Sequence, residues 1–185
     1  MPREVGVRDH RRVGGKSIRR LEVDDAAELA ALYARNRAFL APYEPAREDR
    51  FFTPAGQRAR AEEALEGARS GALYRYVILD NEARIAGVIG LEHVVRAASQ
   101  SATVGYWVDQ PRNARGLASV AVADLVELAR VDLMLHRLQA PVLVDNVASQ
   151  RVLAKNGFER IGVARGFLCV GGAWRDHVLF QRLLS

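Results

Sequence analysis

The chain has 185 residues, of which 49% are hydrophobic and 26% charged, the composition of one globular domain large enough to bury a core. Its apolar runs fall well short of the roughly 18 residues that indicate a membrane span, and its charged N-terminus lacks the apolar region of a signal peptide. We therefore expect a cytoplasmic protein without a membrane partner. A net charge of +5, carried almost wholly by arginine, favours anionic partners.

The first third of the chain predicts a tail, a strand and two helices. Residues 1–15 are polar and basic and end in two glycines, which predicts a flexible basic tail ahead of a single domain over 16–185. A strand is expected over 17–22, and Asp24 or Asp25 can cap a helix that runs to about Arg37. Thr53 and Pro54 form a cap followed by an N1 proline, which predicts a second helix to about Ser70.

The middle of the chain predicts an antiparallel meander and then a crossover. β-rich runs at 72–79, 84–92 and 102–108 are separated by short turns. From Ala118 the apolar spacing becomes helical, and the next β-rich run lies at 138–144. That run should lie parallel to 102–108, because a helix crosses between the two strands.

The last third predicts a short helix over 146–156, closed by Gly157, and two strands at about 158–164 and 176–184. A turn is expected at Gly171 and Gly172. The fold class is therefore α+β, with a mixed, mostly antiparallel central sheet and flanking helices. Internal repeats and interdomain linkers are missing from the sequence.

The loop over 112–118 is the strongest candidate for a binding site. It joins a strand to a helix and contains two arginines, one glycine and no acidic residue. The first N–H groups of the helix and the positive end of its dipole can hold a phosphate or pyrophosphate. Gly116 lets the backbone approach the anion, and small Ala118 keeps the helix entrance clear. An ordinary connection with solvated arginines is the alternative.

Cysteine and histidine usage points away from other chemistries. Cys169 is the only cysteine, so an internal disulfide is excluded. The four histidines are far apart without ligand spacing, so we predict no metal site. Direct binding of nucleic acid is not expected, because the sequence contains no basic helix or aromatic-studded strand.

Two blocks of sequence resemble a known family. The loop resembles the acetyl-CoA-binding motif of the GCN5-related N-acetyltransferase (GNAT) superfamily, which reads Arg or Gln, two residues, Gly, one residue, then Gly or Ala. Gly116 and Ala118 match, but Asn113 stands at the first position. The segment 144–158, with Asn-x-x-Ser at its start and Lys-Asn-Gly-Phe at its end, looks like the ribosomal-protein alanine/serine N-acetyltransferase branch. So do Gly-Tyr-Trp-Val before the loop and Trp-Arg-Asp-His at 174–177.

This resemblance implies the GNAT fold, in which two central parallel strands splay apart around the pantetheine arm of acetyl-CoA. Here those strands would be 102–108 and 138–144. Backbone around Trp107 and Val108 would meet the pantetheine, and an N–H group there would polarise the thioester carbonyl. The resemblance places the pyrophosphate on the loop residues Asn113, Ala114, Arg115, Gly116, Leu117 and Ala118.

The resemblance also assigns an acid. Many members of the superfamily use a tyrosine seven residues after the helix asparagine, but that position holds Leu153. In the resembled branch the serine of Asn-x-x-Ser protonates the thiolate, and Ser149 matches it. Asn146 would hold the pantetheine amide and cap the helix. The alternatives are a plain N-cap for Asn146 and an ordinary first-turn residue for Ser149.

The base and the acceptor site are assigned less directly. The glutamate that some branch members use falls at Leu168. We therefore assign the base to Glu92, acting through water. His93, Asp176 and His177 are the other candidates. Tyr43 and Glu44, in a proline-broken loop, and Asp176, on the last strand, are expected to contact the acceptor.

The expected function is direct transfer of acetyl from acetyl-CoA to an amine in a ternary complex. By resemblance, the acceptor is a protein N-terminal α-amine, with a ribosomal protein as one partner. A small amine such as an amino acid, polyamine or antibiotic is an alternative. A silent acyl-CoA-binding module is another, suggested by Asn113, Leu153 and Leu168. The sequence does not decide the oligomeric state, and a homodimer is one option.

Overall fold

The computed structural model describes residues 17–184, so the tail expected over 1–15 lies outside the described residues. Within this range, seven strands and four α-helices follow the predicted order. The strands are β1 Ile18–Arg20, β2 Tyr74–Leu79, β3 Ile85–Val95, β4 Ser101–Val108, β5 Arg137–Leu143, β6 Glu159–Val170 and β7 Ala173–Leu183. The helices are α1 Ala26–Leu40, α2 Pro54–Ser70, α3 Leu117–Val131 and α4 Val147–Lys155.

The strands form one sheet in the order β1-β2-β3-β4-β5-β7-β6. Neighbouring strands are antiparallel throughout, except for the parallel pair β4 and β5. The predicted mixed, mostly antiparallel sheet is therefore confirmed, and so is the parallel relation of the two central strands. None of the helices within residues 17–184 is both long and apolar enough to cross a membrane.

The parallel pair separates soon after it begins. Its register joins Ser101 to Arg137 and ends with Thr103 opposite Gln139. The remaining halves of both strands diverge and leave a gap in the middle of the sheet. Pro141 lies on the half of β5 that borders this gap. Proline is tolerated in a strand where its missing N–H would have had no ladder partner.

Helices cover both faces of the sheet, and each face has its own apolar cluster. On the α3 and α4 face, the cluster contains Leu125, Leu138 and Leu153, all fully buried. On the α1 and α2 face, Leu32, Val77 and Val88 belong to a smaller cluster. The second cluster covers only the β1-to-β4 half of its face. This leaves room for a cavity over β5, β7 and β6.

Local sequence rules fix some boundaries and miss others. Thr53 accepts a hydrogen bond from Gly56 N–H at 3.1 Å, and α2 has the predicted start and end. The hairpin of β6 and β7 is longer than predicted, because pairing resumes after a register shift between Ala164 and Leu168. Gly166, with φ 52°, lies in that shift and absorbs the irregularity.

A buried carboxylate ties β4 to α1. Asp109, whose side chain is 2% exposed, accepts hydrogen bonds from Arg35 Nη2 at 2.6 Å and from Asn36 Nδ2 at 2.8 Å. Asn36 in turn accepts from Gln110 N–H at 2.9 Å. Burial alone would raise the pKa of Asp109, but the hydrogen bonds from Arg35 and Asn36 outweigh it and hold that pKa below its ordinary value. The start of the following loop is therefore fixed against α1.

Asp109→Asn should lower the free energy of unfolding by about 2 kcal/mol at pH 7, because it weakens the three hydrogen bonds that the carboxylate accepts from Arg35 and Asn36. The pKa of Asp109 is lowered in the folded state, so its contribution exists above the ordinary aspartate pKa of about 3.9. It is lost as the pH falls through the folded-state value. Urea unfolding at pH 7 and below pH 4 should therefore show the wild-type advantage shrinking in acid.

Asp49→Asn is the matched control for this experiment. Asp49 pairs with Arg37 at 2.9 Å, but the two side chains are 88% and 54% exposed. Its loss should cost less than about 1 kcal/mol. Equal stability of Asp109→Asn and the wild type at pH 7 would contradict the anchoring role of Asp109.

Candidate active site

A cavity of about 790 Å³ passes through the sheet at the gap between β4 and β5. Side chains from both faces line it. Tyr106 and Val142 approach from the α3 and α4 face, and Gln139 and Leu179 from the opposite face. A ligand can therefore enter from one side of the sheet and meet a second ligand coming from the other.

Backbone groups of β4 point into this gap. Asp109 N–H donates to Ala86 C=O at 2.8 Å, and this bond sets the alternation of the β3–β4 ladder. The N–H groups of Trp107 and Gly105, two and four positions before Asp109, therefore bond to β3. The N–H groups of Tyr106 and Val108 point the other way, toward β5. Beyond Thr103, β5 has moved away. Both N–H groups thus point to the gap side of β4, and Tyr106 also lines the cavity. Fixed N–H groups of this kind suit an added extended chain or a carbonyl oxygen.

The loop after β4 leads into the N-terminus of α3 in a conformation suited to an anion. Ala114 and Gly116 both have left-handed backbones, with φ of 60° and 82°. The first intrahelical bond runs from Val120 N–H to Gly116 C=O at 3.1 Å. The N–H groups of Leu117 and Ala118 precede this bond, so they are open to a bound phosphate.

The two arginines of the loop have different environments. Arg112 Nη1 donates to Ile85 C=O at 2.7 Å, and its side chain is only 18% exposed. It also lies 3.5 Å from Asp109, so it holds the loop in place. Arg115 is exposed and is therefore the arginine that can reach an anion.

On the α4 side of the gap, a serine and a tyrosine are hydrogen-bonded. Ser149 Oγ and Tyr106 Oη lie 2.8 Å apart, and Tyr106 also donates to Ser149 C=O at 3.2 Å. Asn146 Oδ1 accepts from Ser149 N–H at 3.1 Å and so caps α4. Burial raises the pKa of Tyr106 to about 12, although the Ser149 hydrogen bond opposes the rise. Tyr106 therefore keeps its proton near neutral pH.

On the opposite face, the cavity wall contains two carboxylates. Glu92 accepts a hydrogen bond from Arg75 at 2.8 Å and its side chain is 47% exposed. Glu44 is more enclosed, at 23%, and lies 3.8 Å from Arg47. Burial raises the pKa of Glu44, despite the positive charges of Arg47 and other nearby arginines. Each carboxylate on this face is therefore balanced by an arginine beside it.

The predicted site residues fall into three places. The cavity wall includes Tyr43, Glu44, Glu92, Trp107, Asn146 and Ser149. The loop holds 113–118, and Val108 ends β4 beside the gap. Asp176 is not among the lining residues of the described chain; its carboxylate accepts from Gly166 N–H at 2.8 Å. The adjacent His177 lines the cavity instead.

Two contacts could not be read from the sequence. Tyr106 alternates with Trp107 along β4, but only the packed helices show which side chain meets α4. The Trp107 indole turns to the other face and donates to Tyr33 Oη at 3.0 Å.

Within residues 17–184, no three His, Cys, Asp or Glu side chains are placed to hold a metal ion.

Comparison with known proteins agrees with this geometry. Residues 17–159 match the acetyltransferase (GNAT) domain family, so the chain belongs to that family and is an N-acetyltransferase. It is 37% identical over 166 residues to the probable N-acetyltransferase YjcK of Bacillus subtilis, covering 88% of this chain and 92% of that protein.

Two further proteins are also similar over most of their length. The [ribosomal protein uS5]-alanine N-acetyltransferase of Escherichia coli is 34% identical over 163 residues, covering 88% of this chain and 84% of that protein. The solved structure of Mycobacterium smegmatis RimJ in complex with CoA-disulfide superposes with a TM-score of 0.86 at 29% identity. That match covers 90% of this chain and 80% of RimJ. The superposition supports CoA binding by this fold.

Gly116→Ala should weaken acetyl-CoA binding about 5- to 30-fold, because a left-handed alanine costs about 1–2 kcal/mol and the loop would relax away from it. A Cβ at Gly116 would meet no heavy atom within 4 Å among residues 17–184, so the effect is conformational rather than steric. Isothermal titration calorimetry measures the change.

Gly162→Ala is the matched control, because Gly162 has equally open surroundings among the described residues and does not have a positive φ. Its affinity for acetyl-CoA should match that of the wild type. Unchanged affinity in Gly116→Ala would show that the left-handed turn does not shape the anion site.

Proposed function

We propose that the protein transfers acetyl from acetyl-CoA directly to the α-amine of a polypeptide N-terminus, of the ribosomal-protein type. The observation that carries this proposal is the cavity through the sheet, which has a hydroxyl pair on one face and carboxylates on the other. Such a channel lets the thioester and the amine approach from opposite sides. Relatives that act on a ribosomal-protein alanine support the acceptor class.

The donor would occupy the gap between β4 and β5. Its pyrophosphate would bind the N–H groups at the start of α3, with Arg115 close by. Its pantetheine would lie along β4 like an added strand, against the N–H groups of Tyr106 and Val108. One of these N–H groups, fixed before reaction, would stabilise the oxyanion of the tetrahedral intermediate.

The leaving sulfur would take its proton on the α4 side. Ser149 Oγ lies next to Tyr106 Oη at 2.8 Å, and Tyr106 stays protonated because of its burial. Tyr106 has one hydroxyl proton within reach of both Ser149 oxygens. When that proton turns to Ser149 Oγ instead of Ser149 C=O, the serine proton is free to point at the sulfur. Ser149 then takes a replacement proton from water in the cavity.

The acceptor would enter on the opposite face. Glu44 and Glu92 would accept hydrogen bonds from the incoming amine, although each also pairs with an arginine. The mouth remains open, because Ile161, Phe167 and Leu168 line the cavity while 51%, 42% and 41% exposed. An open apolar mouth suits the first residues of a polypeptide better than it suits a small, fully enclosed ligand. Tyr43, 44% exposed, extends the same rim.

The direct test is release of CoA thiol from acetyl-CoA in the presence of peptides that begin with alanine or serine. We expect turnover with these peptides and none with the same peptides blocked at the α-amine. Turnover only with small amines would overturn the acceptor class. Tight acetyl-CoA binding without turnover on peptides or on a panel of small amines would overturn the assignment of catalysis.

Ser149→Ala should lower kcat about 10²-fold, the usual contribution of a positioned acid. Its affinity for acetyl-CoA should change little, because the pantetheine and pyrophosphate contacts lie on other residues. Steady-state kinetics and calorimetry separate the two effects. A large loss of affinity with kcat intact would mean that Ser149 binds the donor rather than protonating it.

Tyr106→Phe should lower kcat about 10-fold, less than loss of Ser149 does, because it removes the group that orients the acid and not the acid itself. The double variant should be no slower than Ser149→Ala, since the two residues would act as one unit. Additive losses would contradict a shared role. The melting temperatures of the variants control for the lost bond to Ser149 C=O.

A further inference from the structure

The attacking amine must lose a proton, and the structure contains a proton acceptor other than Glu92. We propose that His177 is the general base of the reaction, an inference that rests on the proposed function. His177 lines the cavity from β7 and is 3% exposed. Histidine is the side chain most often used for this task in enzymes.

The ring of His177 is held in one orientation. Its Nδ1 lies 3.0 Å from the carbonyl oxygen of Arg175. A carbonyl can only accept, so Nδ1 carries the proton and Nε2 of the neutral ring has a lone pair. The Phe167 ring packs 5.8 Å from the His177 ring, centre to centre. Proton abstraction requires a base held in one orientation. The bond from Nδ1–H to the Arg175 carbonyl fixes the ring and so positions Nε2.

The position of His177 in the sheet puts it on the acceptor face. In the β5–β7 register it lies opposite Leu143, whose carbonyl accepts from Asn146 N–H at the start of α4. Val142 and Val178, one residue away on each strand, point into the α3 and α4 cluster, so His177 points to the other face. Ser149 lies on the α4 side. Acid and base therefore approach a thioester in the gap from opposite sides.

The other titratable or charged groups on the cavity wall have other surroundings. They are Tyr43, Glu44 and Arg47 from the segment after α1, Glu92 and His93 from β3, Tyr106 from β4 and Cys169 from β6. Glu92 is paired with Arg75, and His93 is exposed with a left-handed backbone. Glu44 faces Arg47 on the α1 side, where it can hold the incoming ammonium. His177, by contrast, is a buried side chain on β7, the strand that pairs with β5.

The proton balance closes with this assignment. His177 Nε2 first takes the proton of the incoming ammonium and passes it to water at the cavity mouth. The neutral nitrogen then forms the N–C bond to the acetyl carbon, and His177 Nε2 takes the proton that the nitrogen, now positively charged, must lose. The C–S bond then breaks with its electron pair on sulfur, which is protonated through Ser149. The imidazolium releases its proton to water at the cavity mouth, and the products are an acetylated amine and the CoA thiol.

His177→Asn tests the proposal, because the asparagine amide can keep the bond to Arg175 C=O but has no group in place of Nε2. We expect kcat/KM for an alanine-initiated peptide to fall about 10²-fold at pH 7. The deficit should narrow at high pH, where the acceptor is already neutral. Affinity for acetyl-CoA and the melting temperature should stay within error of the wild type.

Chemical rescue distinguishes a base from a structural residue. Adding imidazole should raise the kcat/KM of His177→Ala at least 10-fold, whereas it should leave the kcat/KM of the wild type unchanged. His136→Asn is the matched control, because His136 is exposed at the far end of β5 and should behave as wild type.

Three outcomes would overturn the assignment of the base. These are a wild-type kcat/KM in His177→Asn, a deficit equal at every pH without imidazole rescue, and a larger pH-dependent deficit in Glu44→Gln or Glu92→Gln. A wild-type enzyme that releases no CoA thiol would overturn the proposed function itself. The two failures are therefore distinguishable.

Discussion

The structure depends on one interruption: the parallel pairing of β4 and β5 stops after Thr103 and Gln139. A sheet that continued to pair would bury its backbone groups in a ladder and leave no opening. Because it stops, the N–H groups of Tyr106 and Val108 point toward a part of β5 that is no longer paired with β4. Side chains from both faces of the sheet reach the same cavity. Pro141 lies on the separated half of β5, where it cannot donate to a ladder.

The gap between β4 and β5 can position ligands only because the strands and the loop around it are rigid. Both clusters of the core pack against the strands that border the gap, through Leu138 of β5 in one cluster and Trp107 of β4 beside the other. Asp109 holds the end of β4 against α1 and carries its charge in a buried position, which requires the hydrogen bonds from Arg35 and Asn36. The loop that leads to α3 is therefore presented in one conformation, and its open N–H groups are ordered before a ligand arrives.

The sequence predicts the elements well where local rules apply, because caps, prolines and hydrophobic periods act over a few residues. Thr53 and Pro54 start α2 where expected, and the crossover helix requires β5 to run parallel to β4. It predicts less where the outcome depends on partners far along the chain. Tyr106 meets Ser149, 43 residues away, and nothing local indicates that contact. Which of Asp176 and His177 lines the cavity likewise depends on strand register. The register shift around Gly166 made that outcome hard to predict.

The most direct test of the gap as the donor site is amide hydrogen exchange, resolved residue by residue by NMR, with and without acetyl-CoA. If pantetheine lies along β4, the amides of Tyr106 and Val108 should gain protection on binding. The amides of Gly105 and Trp107, which already bond to β3, should change little. Saturable binding of acetyl-CoA that leaves exchange at Tyr106 and Val108 unaltered would contradict the account.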